Sequence, residues 1–201
     1  MMKNPKKLTG ILALITLFLS LIIMSNLSSF NSADLFFNSL SSSIQTPMLI
    51  QASKIISIIF EPIYIIVFSL ILSMFIWTRG ARKDSVFFSI LMIAGGIAMY
   101  SIKEIFQRAR PLNALMPESS FSFPSGHALI SLIFFGFLIY LAIKNIKSKT
   151  NKTIISVILI ILILLIGVSR IILNVHWASD VMAGWFLGLF LLFSGIATRK
   201  Q

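Results

Sequence analysis

Six apolar runs, each roughly as long as a bilayer-spanning helix requires, constrain this chain more than any other feature. They lie at about 8–24, 55–77, 86–106, 127–143, 154–173 and 178–197. Backbone N–H and C=O groups find no water in hydrocarbon, so runs of this kind must be helices. None shows the alternation of a lipid-facing barrel strand. At 201 residues, 57% hydrophobic and with a mean hydropathy of +0.97, the chain is too apolar for a soluble domain of its size. The expected fold is all-α: a polytopic membrane protein, with one integral membrane domain over 1–201 forming a six-transmembrane-helix bundle.

The first run, Leu8 to Met24, follows Lys3, Lys6 and Lys7, as the core of a signal peptide would. No small-x-small cleavage site clearly follows, so it is read as a retained helix. Residues 28 to 50 are more polar, with Asn26, Ser28 and Ser29 at their start; within them Asp34–Leu40 predicts a short amphipathic helix lying at the interface after the first span. Thr78–Ser85 and Lys144–Thr153 read as tight hydrophilic turns, and Gly95-Gly96 as a close helix contact.

The formal net charge is +11, from 17 basic and 6 acidic residues. The basic residues sit between apolar runs and form no stripe interleaved with aromatics, which argues for anionic lipid and against nucleic acid as the partner. With no cysteine there is no disulfide, thiolate nucleophile or cysteine metal site. If the N-terminus is cytoplasmic, Lys3, Lys6, Lys7, Arg79, Arg82, Lys83, Lys144, Lys147, Lys149, Lys152, Arg199 and Lys200 lie inside. Lys54, Lys103, Arg108, Arg110 and Arg170 are then outside. The positive-inside rule favours this arrangement, with both termini cytoplasmic.

Three polar islands interrupt the apolar pattern: Lys103…Arg110-Pro111, Pro124-Ser125-Gly126-His127, and Ser169-Arg170…His176…Asp180. They hold three cations, both histidines of the chain and one carboxylate. The first ends the third run, the second opens the fourth, and the third joins the fifth to the sixth, so helix parity places all three at one end. Ionisable groups among apolar helices mark functional sites.

Lys103 and Arg110 are seven residues apart, nearly two helical turns, and would share a face of a helix stopped by Pro111. The bland alternative is snorkelling to headgroups, which fits Arg108 better because it lies off that face. Ser125 is a natural N-cap, Gly126 permits close backbone approach, and a helix N-terminus is an anion site. A simple capping turn would use the same residues. Asp180, four residues past His176, can accept the imidazole N–H, keep the other ring nitrogen unprotonated and stabilise the cationic ring. A structural His–Asp cap is the alternative. Glu61 and Lys54, seven apart, read as an interfacial ion pair; Glu104 and Glu118 flank the islands without an assigned role. Trp77, Trp177 and Trp185 read as interface anchors.

Taken together, Lys103-x6-Arg110-Pro111, Pro124-Ser125-Gly126-His127 and Ser169-Arg170-x5-His176-x3-Asp180 resemble the three-part signature of the type 2 phosphatidic acid phosphatase superfamily. Every signature position is filled. Within it, the short chain resembles bacterial membrane phosphatases of phosphatidylglycerol phosphate and of undecaprenyl pyrophosphate. The resemblance implies His176 as nucleophile through a phosphohistidine, Asp180 as its orienter and His127 as general acid. It implies Lys103, Arg110, Ser125, Gly126, Ser169 and Arg170 as the phosphate-binding set. No metal and no cofactor is expected, because three fixed cations can neutralise the transferring phosphoryl group. The implied setting is a bacterial cytoplasmic membrane with the site on its outer face, and the implied partners are a lipid phosphate and membrane lipids. An anion or lipid transporter is the competing class; its polar groups would run deep through several helices instead of clustering at one end.

Overall fold

The computed structural model describes residues 5–25 and 30–198. The expectations placed on Lys3, Asn26, Ser28, Ser29, Arg199 and Lys200 lie outside them. The helices are α1 (Pro5–Ser25), α2 (Asn31–Ile44), α3 (Pro47–Ile59), α4 (Pro62–Thr78), α5 (Arg82–Phe106), α6 (Gly126–Asn145), α7 (Lys149–Ile172) and α8 (Ala178–Thr198). There is no strand among the described residues. By length and composition α5 to α8 can each cross a bilayer, and α3 with α4 forms a fifth unit. The sequence predicted six spans; α1 has its described apolar stretch over Leu8–Leu17.

The second predicted run is not one straight helix. Pro62 has no N–H to donate and its ring collides with the preceding turn, so α3 stops at Ile59 and α4 restarts with a 43° bend. Phe60 and Glu61 are left in the break, at the level of the polar islands. The third run also ends early. α5 closes at Phe106 through Gln107 in the left-handed region (φ 42°), with its N–H bonded to the Lys103 carbonyl. Arg110 is therefore in a loop, and the shared helical face expected of Lys103 and Arg110 does not exist.

α6 is the central element, packed against α4, α5, α7 and α8. Its first seven turn-forming residues after the cap, from Gly126 to Leu132, are all buried. Phe88 of α5 stacks on Phe137 with ring centroids 4.3 Å apart, adding an oriented aromatic contact to the area buried. Gly95 lets α5 approach α6: a Cβ there would lie 2.4 Å from Ile133 Cδ1. Gly184 does the same for α8, where a Cβ would stand 2.7 Å from the Ser125 carbonyl oxygen and 3.2 Å from Leu129 N. At the end away from the islands, Lys144 and Asp84 tie α6 to α5 at 2.7 Å.

α2 is longer than the predicted Asp34–Leu40 segment and is anchored by its polar side. Leu35, Phe36, Phe37, Leu40 and Ile44 are exposed, whereas Asp34 and Ser41 are buried. Ser41 Oγ donates to Asn174 Oδ1 (2.5 Å), Asn174 Nδ2 donates to Ser42 Oγ (2.9 Å) and Gln45 Nε2 donates to the Ile172 carbonyl (2.6 Å). α2 is thereby fastened to the α7–α8 turn.

Candidate active site

Four helix ends and one helix break assemble the polar islands. Lys103 is in the last turn of α5, Gly126 and His127 open α6, Ser169 and Arg170 close α7, and Asp180 is in the first turn of α8. His176 lies in the turn just before α8. A cavity of about 330 Å³ is lined by Lys103, Arg110, Gly126, His127 and His176, with Glu61, Glu118 and Ser120. Ile63, Ile66, Met99 and Tyr100 supply its apolar wall.

His176 is buried. Its Nε2 is 3.2 Å from Arg110 Nη1, and its Nδ1 is 3.5 Å from both Asp180 Oδ2 and Ser122 Oγ. The tautomer that satisfies both sides carries the proton on Nδ1 and leaves Nε2 as acceptor. Burial holds the ring pKa well below its ordinary value, and the charges of Arg110, Arg170 and Lys103 add to that effect. His176 lines the cavity, and a neutral imidazole with an Nε2 lone pair is the state that nucleophilic attack requires. The His176–Asp180 pair meets as the spacing predicted, but across the start of a helix. Asp180 Oδ2 also accepts the Trp177 N–H at 2.9 Å and the Ser122 hydroxyl.

The other carboxylate oxygen belongs to a network the sequence did not announce. Arg108 donates from Nη1 to Asp180 Oδ1 (2.5 Å) and from Nη2 to Asp34 Oδ2 (2.7 Å). Asp34 also accepts Ser179 N (2.9 Å) and Ser179 Oγ (2.7 Å). Trp177 lies under the Arg108 guanidinium at 5.5 Å and donates its indole N–H to the Ala109 carbonyl (2.9 Å). Arg108 is thus an internal bridge between two buried carboxylates, not a snorkelling residue. It was missed because its partners come from elements 74 and 72 residues away.

Glu61 is corrected in the same way. It reaches His127, with Oε2 3.2 Å from Nε2, and not Lys54, because the Pro62 break turns it toward α6. The same ring nitrogen is 3.1 Å from the Ser57 carbonyl, so it donates there. Glu118 bridges two of the expected phosphate ligands: Oε1 accepts from Arg170 Nη2, and Oε2 is 3.4 Å from Arg110 Nη2. Arg170 is fully buried and also donates to Ser57 Oγ. Arg110 holds the 111–125 loop through the Ser120 carbonyl (2.8 Å) and reaches the Val175 carbonyl (2.6 Å); Lys103 Nζ donates to the Phe121 carbonyl.

Ser125 occupies the N-cap position as predicted, yet its hydroxyl makes no capping bond and has no partner among the described residues. Its N–H donates to the Asp180 carbonyl at 3.0 Å. Ser169 is buried and donates to Ile166 within its own helix (2.7 Å). One signal in the sequence could have exposed the hidden partners. The chain has only six acidic residues against 17 basic ones; four of the six pair with an arginine or lysine, and a fifth, Glu61, meets His127.

The chain is similar to known proteins in sequence and in fold. The family model for the PAP2 superfamily matches residues 64–200. Phosphatidylglycerophosphatase B of Bacillus subtilis is 35% identical over 94 residues, 46% of either chain. An undecaprenyl-diphosphatase of Sulfolobus acidocaldarius is 31% identical over 112 residues, 54% of this chain and 50% of that one. The matched segments thus span about half the length of these curated relatives. The crystal structure of a transmembrane PAP2-type phosphatidylglycerolphosphate phosphatase from Bacillus subtilis superposes with a TM-score of 0.80 at 26% identity, covering 94% of both chains. That of Aquifex aeolicus LpxE gives a TM-score of 0.65 at 21% identity, over 81% of this chain and 93% of that one, a likeness of fold.

Proposed function

Because this chain belongs to the PAP2 superfamily, we propose that it is an integral membrane lipid phosphatase or diphosphatase working through a phosphohistidine. The observation that carries the proposal is the meeting of Lys103, Arg110, His127 and His176 in one cavity with an apolar wall. Cations at that wall fit a phosphate on a lipid, and a neutral buried imidazole fits the nucleophile.

In this mechanism His176 Nε2 attacks phosphorus as the bond to the leaving oxygen breaks, and His127, entering protonated on both ring nitrogens beside the Glu61 carboxylate, gives that oxygen one of those protons. Asp180 supports the ring from Nδ1 as it gains charge. A water then attacks the phosphohistidine and gives its proton to His127, which releases inorganic phosphate and restores both rings. Lys103, Arg110 and Arg170 balance the charge on the phosphoryl oxygens, a task that metal ions perform in other phosphotransfer sites. Ser125, Gly126 and Ser169 complete the phosphate-binding set.

Undecaprenyl pyrophosphate and phosphatidylglycerol phosphate rank equally as substrates, ahead of phosphatidic acid. The test is phosphate release by purified protein over a panel of these lipids. Turnover of at least one, unaffected by EDTA, is expected; no release from any, or loss on chelation restored by Mg²⁺, would overturn the mechanism.

The site opens on the outer face of the cytoplasmic membrane in this proposal. Support comes from the twelve-to-five division of basic residues and from the site's place at the end of the bundle opposite Lys144. The cysteine-free chain permits a direct check. A Ser119→Cys variant should react with a membrane-impermeant maleimide in intact cells, and Lys147→Cys only after permeabilisation. The reverse pattern would place the chemistry in the cytoplasm.

A further inference from the structure

We propose that Glu118 is a resident counter-anion of the phosphate seat: its carboxylate occupies the place of a substrate or product phosphate between Arg110 and Arg170 and must be displaced for phosphate to bind. This deepens the phosphatase proposal and rests on it for the identity of the anion.

The geometry is that of an anion site already filled. Arg170 has no solvent exposure, and a buried guanidinium needs a negative partner. Glu118 supplies it through Oε1 while Oε2 turns to Arg110, so the two oxygens of one carboxylate straddle two cations. Two oxygens of a phosphate would do the same. Glu118 is suited to moving. It is on a loop without regular structure, its side chain is 20% exposed, and it lines the cavity beside Lys103, His127 and His176.

The fit is also incomplete. Arg170 Nε is buried without a hydrogen-bond partner among the described residues, although its two terminal nitrogens are bonded to Ser57 and Glu118. A carboxylate offers two oxygens and one charge. A phosphate offers three terminal oxygens and up to two charges, and so can meet more of these donors. The resident carboxylate has two effects. It keeps Arg170 paired in the empty site, and it weakens phosphate binding by the cost of its own displacement, which eases release of inorganic phosphate after each turnover.

The experiment compares the purified full chain with E118Q, which keeps the shape and loses the charge. Thermal unfolding is followed against inorganic phosphate, since a ligand bound only by the folded state raises Tm with its own dissociation constant. E118Q is expected to start at a lower Tm, because Arg170 has lost its counter-charge. It should then rise further with phosphate, with a Kd about tenfold lower than wild type, a difference of about 1.4 kcal/mol. KM for a short-chain lipid phosphate should fall in the same direction, which separates the headgroup from the free anion. E118D, which retains the charge on a shorter reach, should fall between the two and serves if E118Q does not fold. If phosphate binds the variants no more tightly than wild type, Glu118 is a structural partner only and the proposal is overturned. If phosphate binds none of the three proteins, the phosphatase proposal fails, and this inference with it.

Discussion

His176→Ala is expected to lower phosphate release by on the order of 10⁴-fold or more, the scale seen when a covalent nucleophile is removed. The ring is buried with Nε2 against Arg110 Nη1, and Asp180 and Ser122 face its other nitrogen. The chain has no cysteine, and His127, the other imidazole, is committed to Glu61 and the Ser57 carbonyl. No equivalent nucleophile is in reach. The measurement is phosphate release under saturating lipid, with an alkaline denaturing quench, in which a phosphohistidine survives, to trap labelled phosphoenzyme in the wild type. Residual activity above about one per cent of wild type would end the phosphohistidine mechanism, which predicts a loss far larger than that.

Arg108→Ala should have the largest effect on stability. The guanidinium is the cation shared by Asp34 and Asp180, which are 2% and 0% exposed, and its removal leaves two buried carboxylates without that cation. Breaking a buried pair by deleting one partner costs about 3–5 kcal/mol. The loss should appear as a reduced unfolding free energy in detergent. kcat should fall more than KM, because in the proposed mechanism Asp180 acts on substrate only through His176. Asp34→Asn in the Arg108→Ala background should recover part of the stability by removing one unpaired charge. A change within 1 kcal/mol for Arg108→Ala would mean that the network contributes little beyond solvent-exposed pairs.

Much of this site was legible in the sequence because the family pattern is carried by local spacing. Lys103, Arg110, Gly126, His127 and His176 line one cavity, and Asp180 meets His176. The first island differs from the expected helical face: Arg110 reaches the cavity from a loop after the left-handed Gln107. Periodicity predicts what a continuous helix would do and is blind to an early cap. Pro62 was visible, but an apolar run on both sides of it concealed the break that brings Glu61 to His127. The hidden partners share one physical property. Glu61, Glu118 and Asp34 each meet a partner far along the chain, and spacing cannot encode that. The scarcity of acid could have done so, since in so basic and apolar a chain each buried carboxylate requires a cation.

Gly184 gives the chemistry a mechanical dimension. The two imidazoles are carried by different parts of the bundle, His127 on α6 and His176 on the turn that leads into α8. The gap between them is thus a spacing between machine parts and not a property of either part. At Gly184 that spacing is gauged by a hydrogen atom, with the Ser125 carbonyl 2.7 Å from where a methyl carbon would stand. A backbone oxygen cannot rotate aside as a side chain can. Displacements near 1 Å at a reacting centre cost about a hundredfold in rate. The tolerances that would matter for the proposed turnover are therefore set in the helix packing, at a residue with no chemistry of its own.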